Sequence, residues 1–242
     1  MEIALILILL IVFIAGLTRA TFGFGDALVG MPLLTIVAGI QTATPLIQMF
    51  GTTIAISILI RQWKKVDLRS AWRLIISSLL GIPVGLYYLK EVNEDLVKLI
   101  LACLIVLFAL YQLFRPRIVH LKTDRFAIFF GFLGGILGGA YNTNGPPVIF
   151  YGTLRKWDPG HFRATLQGYF LPTGVGIMAG HILAGLWTPV VIRYYLLALP
   201  VAIAAIIVGN FLNRRIPGEQ FIKYVYVLLI ALGLVLILDV IR

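Results

Sequence analysis

The chain has 242 residues, of which 60% are hydrophobic and only 12% charged, with a mean hydropathy of +1.00 and a formal net charge of +10. A water-soluble domain of this size cannot carry such a composition without a large exposed apolar surface, so these values exclude a soluble enzyme and indicate a polytopic membrane protein. The basic charge does not imply nucleic acid, because the bases gather in short loops between apolar runs, as the positive-inside bias requires.

The apolar runs are continuous rather than alternating, which excludes a barrel and leaves helices as the way to pair every backbone polar group. Ten helical segments are predicted, five in each half: 3–20, 26–39, 43–61, 70–89 and 95–114, then 125–141, 146–155, 162–184, 190–212 and 219–240. The first lacks a basic leader and continues into more membrane sequence, so it reads as part of the fold and not as a signal peptide. After it comes the polar break Gly23-Phe24-Gly25-Asp26, and Gln48 interrupts the third segment. The fifth segment contains the single cysteine, Cys103, expected in helix packing, since alone it forms neither an intrachain disulfide nor a thiolate metal site. Residues 115–124 read as a cytoplasmic linker between the repeats 1–114 and 125–242 of a single membrane domain.

In the second half, glycines over 131–139 have the spacing of close helix contacts. The second break, Tyr141-Asn142-Thr143-Asn144-Gly145-Pro146-Pro147, precedes a segment of 11 residues ending at Lys156. At 1.5 Å per residue that segment covers about 16 Å, roughly half a bilayer's hydrocarbon core. The next segment opens with His161 and Arg163 and carries Gln167 and His181. With no second histidine or acid nearby, His181 reads as packing or hydrogen bonding, or as a proton-handling group, and no metal site or cofactor is expected.

A shift of 119 residues sets Gly16 on Gly135, Gly23–Val29 on Asn142–Val148 and Gln48 on Gln167; a shift of 124 sets Gly85 on Gly209. Five segments per half is an odd number, so a duplication inverts the second half. Charge agrees. Inversion puts fifteen of the twenty bases on the cytoplasmic side: Arg61, Lys64, Lys65, Arg69 and Arg73; Arg115, Arg117, Lys122 and Arg125; Arg155, Lys156 and Arg163; Arg214, Arg215 and Lys223. A parallel duplication moves the last six of these outside. The predicted fold is therefore all-α, a cell-membrane protein of two inverted repeats with both termini outside, whose short or re-entrant helices meet near the midplane.

Irregular backbone at that depth persists only where it is buried in protein or lines a polar cavity. Two short helices starting there aim unpaired N–H groups and positive dipole ends at a common space, an arrangement suited to an anion. The candidate substrate-binding residues are Arg19, Gly23, Phe24, Gly25, Gln48, Tyr141, Asn142, Thr143, Asn144, Gly145, Pro146, Arg163 and Gln167. Arg19 is either a buried cation for the anion or an interfacial snorkeller. Asp26 caps the second helix, pairs with Arg19 or accepts a coupling proton. The two glutamines line the cavity or bond between helices, and Arg163 attracts anions or belongs to a basic loop.

Two stretches resemble the TauE/SafE family of membrane anion permeases. They are Gly16-Leu17-Thr18-Arg19-Ala20-Thr21-Phe22-Gly23-Phe24-Gly25-Asp26-Ala27-Leu28 with Pro32-Leu33-Leu34, and Gly134–Gly139 with Asn144-Gly145-Pro146-Pro147 and Phe162-Arg163-Ala164-Thr165-Leu166. The resemblance implies transport of sulfite, sulfonates or related organic anions, frequently as export. The second break departs from that family's glycine-rich form. A secondary transporter working by alternating access is the expected activity, with a small anion, the bilayer and protons as partners. An anion channel, a membrane assembly factor and an intramembrane enzyme are the rivals; for the last, the spans offer no nucleophile and base pair or metal cluster.

Overall fold

The computed structural model describes residues 2–114, 121, 123–157, 159–215 and 218–241. Arg115, Arg117, Lys122 and most of the predicted linker lie outside them, as do the side chains of Arg61, His161, Arg214, Arg215 and Lys223. Among the described residues there are ten α-helices, one short 3-10 turn (Trp63–Lys65) and no strand. The helices are α1 (Glu2–Phe22), α2 (Asp26–Ala38), α3 (Ile40–Gln62), α4 (Leu68–Glu91) and α5 (Glu94–Phe114), then α6 (Phe126–Tyr141), α7 (Gly145–Leu154), α8 (Pro159–Leu183), α9 (Pro189–Arg215) and α10 (Gly218–Ile241).

All ten predicted segments are present. The third starts at Ile40 rather than residue 43, because Gly39, at φ 76° and ψ 155°, makes the break between α2 and α3 unaided. Among the described residues, five helices are long and apolar enough to cross a membrane. Ile3, Ile60, Phe114 and Leu183 are among many large apolar side chains that point outward, as a lipid-facing surface requires. Cys103 also faces outward from α5, contrary to the packing role expected of it. The residues around it decide this: Ala102 and Ile105 turn the packed face of α5 inward, and Cys103 falls off that stripe.

Glycines set how closely the helices approach. A Cβ on Gly85 of α4 would collide with Ile136 O and Ala140 N of α6, and one on Gly209 of α9 would meet Leu17 O and Thr21 N of α1. These two contacts correspond residue for residue under the shifts of 124 and 119. The register runs the same way in both: Ser78 lies on Gly135 and Ile82 on Gly139, while Gly16 lies on Ala205 and Thr21 bonds near Gly209, so each of these pairs is parallel. By contrast, α3 and α8, third in each half, cross antiparallel, with Gln48 bonded to Gly174 O and Asp67 N, just beyond α3, to Thr165. The fifth helices also run antiparallel, with Gly233 on Ala102 and Tyr226 on Gln112.

The directions bring the ends of α3, α5, α7 and α9 and the starts of α4, α6, α8 and α10 to one end of the bundle, the basic end. There Asp124 pairs with Arg73 at 3.2 Å and Arg155 at 2.8 Å, tying α4 and the α6–α7 hairpin together.

Candidate functional site

Two tips interrupt the bundle: residues 23–25 between α1 and α2, and 142–144 between α6 and α7. At the first, Gly23 and Gly25 adopt φ of 87° and 101°, where any Cβ is strained. At the second, Asn142 takes the left-handed conformation (φ 55°) as the residue ending α6. Its N–H donates to Gly138 O at 2.9 Å and that of Thr143 to Leu137 O at 3.1 Å, the paired C-terminal bonds that stop a helix.

Both tips lie near the middle of α3 and α8, although on α9 the first lies close to the helix end, at Gly209 and Asn213. On α8, whose central residue is Leu171, Gly23 sits against Gln167 and Asn144 against Thr173. On α3, the central residue Gly51 lies against the guanidinium of Arg19 and the carboxylate of Asp26.

Arg19 and Asp26 form an ion pair at 2.7 Å, each side chain only 7% exposed. An arginine left alone at bilayer depth costs at least about 2.5 kcal/mol on insertion scales, so Asp26 is what makes the position tenable. Arg19 also donates to Gln167 Oε1 at 3.3 Å and lies 4.7 Å from the centre of the Phe170 ring. Its Nε is buried with no hydrogen-bond partner among the described residues. The same holds for the hydroxyl of Thr143, on the opposite tip.

These groups enclose a cavity walled by Arg19, Phe24, the first turn of α2, residues 142–146 and Phe170. It has about 20 Å³ of free space, room for little more than one water. No side chain caps either short helix. The N–H groups of Asp26, Ala27 and Leu28 precede the first intrahelical bond of α2, from Val29 N to Gly25 O. The α7 terminus is poorer, since Pro146 and Pro147 have no N–H; it offers its dipole and the polar side chains 142–144.

Of the predicted residues, the structure thus brings Arg19, Phe24, Gly25, Asp26, Asn142, Thr143, Asn144, Gly145 and Pro146 to one cavity. Gly23 and Gln167 form the layer behind it, joined by a bond from Gln167 Nε2 to Gly23 O. Gln48 bridges within α3 to Thr52 at 2.9 Å and across to Gly174 O at 3.1 Å, so the two glutamines do different work. Tyr141 is buried at the end of α6 and does not line the cavity. Arg163 lies toward the basic end, bonded to α1 and α9. Sequence reasoning missed Phe170 and Thr173; Phe170 falls one turn beyond Gln167, and that spacing was the available signal. It also missed Asn210 and Asn213, two amides in the apolar run of α9. Among the described residues there is no cluster of metal-ligating side chains.

A family profile described as Sulfite exporter TauE/SafE matches residues 8–236. A probable sulfite/organosulfonate exporter TauE of Cupriavidus necator is 22% identical over 204 residues, covering 83% of this chain and 78% of that protein. No solved structure matches the chain.

Proposed function

Since the chain belongs to the sulfite exporter TauE/SafE family, and is a membrane transport protein and not an enzyme, we propose that it carries a small oxyanion, sulfite or a sulfonate, through the cavity between its two tips. The observation that carries this is the pair of buried, uncommitted donors on residues that line that cavity, Arg19 Nε and the Thr143 hydroxyl, beside the uncapped first turn of α2. Buried donors without partners are costly and rare, and an oxyanion satisfies several at once.

The two halves act as an inverted repeat. The parallel α4–α6 and α1–α9 pairs and the antiparallel α3–α8 and α5–α10 crossings support this, because inversion sets equivalent helices in opposite directions. The basic end is then cytoplasmic and both termini are outside. Rocking of the halves opens a cavity that is too small for sulfite as it stands. Export down the membrane potential requires no coupling ion, while uptake would draw on protons through Asp26.

The test is binding of sulfite, sulfonates, carboxylates and phosphate to the purified protein and to Arg19→Ala and Asn144→Ala, followed by counterflow in proteoliposomes. Saturable counterflow that both changes weaken is expected. Binding untouched by either change puts the site elsewhere, and currents far above carrier turnover make the protein a channel.

A further inference from the structure

The last carbonyls of α1 have no partner within the helix, as at any helix C-terminus. Here they are held from outside. Ala20 O accepts Arg163 Nη2 at 2.6 Å, and Thr21 O accepts the side-chain amide of Asn213. Arg163 in turn donates to Asn213 Oδ1 at 2.6 Å and Asn210 Oδ1 at 3.2 Å. A guanidinium suits the negative end of the α1 dipole, and this group stitches the first tip to α8 and α9.

Its position matters as much as its bonds. Arg163 lies one helical turn before Gln167 on α8, on the basic-end side, and Gln167 touches both Arg19 and Gly23. A Cβ on Gly23 would come within 2.7 Å of Arg163 Cγ, so the arginine stem packs directly under the tip. Along this face of α8, Arg163 stands between the basic end and the cavity.

The equivalent positions in the first half carry no such group. Under the shifts of 119 and 124, Arg163, Asn210 and Asn213 correspond to Thr44, Leu86 and Leu89. Thr44 spends its hydroxyl on Ile40 O in its own helix, and the leucines cannot hydrogen-bond. The positions equivalent to the two asparagines are thus apolar, and the one equivalent to the arginine is spent within its own helix.

We infer that Arg163, Asn210 and Asn213 form a latch that holds the C-terminus of α1 shut over the cavity, and that an anion arriving at the basic end opens it by taking Arg163. A full negative charge is a stronger partner for a guanidinium than a carbonyl or amide oxygen, and Arg163 keeps one buried donor, Nε, uncommitted among the described residues. Displacement frees Ala20 O and removes the guanidinium bonded to Asn213, the residue that holds Thr21 O, and the tip can move. The opening step rests on the anion-carrier reading; the closing role of the latch does not.

The experiment uses Phe24→Cys, at the cavity wall, in a Cys103→Ser background. An impermeant thiosulfonate is applied from each side of the membrane, with methanesulfonate as the anion, because sulfite consumes thiol reagents. Arg163→Ala and the milder Asn210→Ala/Asn213→Ala pair are expected to raise labelling from the basic side by about tenfold, the factor that about 1.4 kcal/mol lost from the closed state gives. Methanesulfonate is expected to raise it in the parent and not in Arg163→Ala. Labelling unchanged in the double variant, which keeps Arg163, overturns the latch even if Arg163→Ala misfolds. Methanesulfonate slowing the parent's labelling, or leaving it unchanged, overturns opening by anion. Faster labelling in the variants without any oxyanion binding to the purified parent leaves the latch standing and removes the carrier reading.

Discussion

Replacing Arg19 by methionine removes the cation from a pair whose side chains are both 7% exposed, leaving Asp26 charged and without its partner beside Gly51. Breaking a buried pair from one side costs about 3–5 kcal/mol, most of it the stranded charge. Changing Asp26 to asparagine as well removes that charge, and replacing a buried pair by neutral groups is close to neutral, so the double variant is expected to recover all but about 1 kcal/mol. Unfolding free energies in micelles for the parent, both single variants and the double one give the coupling directly. Sulfite binding by the same four proteins separates structure from function: Arg19→Met/Asp26→Asn is expected to fold like the parent and bind no oxyanion. The reasoning fails if Arg19→Met is as stable as the parent, or if the second change rescues nothing.

Gly85→Ala is expected to abolish accumulation of folded protein, since its Cβ collides with the backbone of Ile136 and Ala140, and Gly209→Ala, whose Cβ comes within 2.6 Å of Ala20 Cβ, to lower it, whereas Gly185→Ala, at φ 71° in open space, costs only about 1–2 kcal/mol of backbone strain. Expression and size-exclusion profiles distinguish the two classes. Asn144→Ala is expected to weaken oxyanion binding by about 10- to 100-fold, the loss of one hydrogen bond to a charged group, with little change in melting. Ser78 donates its only proton to Gly131 O at 2.6 Å, so Tyr169 must be the donor in the 2.7 Å contact between their hydroxyls. Tyr169→Phe is expected to cost about 1–3 kcal/mol in an unfolding titration. Asp124→Asn, by contrast, touches pairs whose side chains are 23–41% exposed and is expected to change stability by less than about 1 kcal/mol.

The helices were legible because each apolar run is long and ends in glycine, proline or charge, and the structure moved their ends by only a few residues. The cavity was legible for a related reason: polar residues such as Asn142–Asn144 and Arg19 have no business in lipid unless the fold has a use for them. What stayed hidden depends on partners far along the chain. Asn213 looks like any polar residue near a helix end, and only the parallel packing of α9 on α1 brings it to Thr21 O. Gln48 and Gln167 occupy matching positions in the two halves, yet neighbours that do not match give them different bonds. Phe170 is one aromatic among fifteen phenylalanines until Arg19 is found over its ring.

On the carrier reading proposed above, the prolines that open α7 divide the labour of recognition unequally. At the first tip the unpaired groups are main-chain amides of residues lining the cavity, and these are the same whatever side chains replace their neighbours. The second tip, stripped of two amides, presents the interchangeable groups 142–144. Descendants of such a protein are free to drift in what they accept by rewriting three letters there while the first tip stays put. Grafting a relative's second tip alone onto this scaffold is expected to carry the relative's appetite with it.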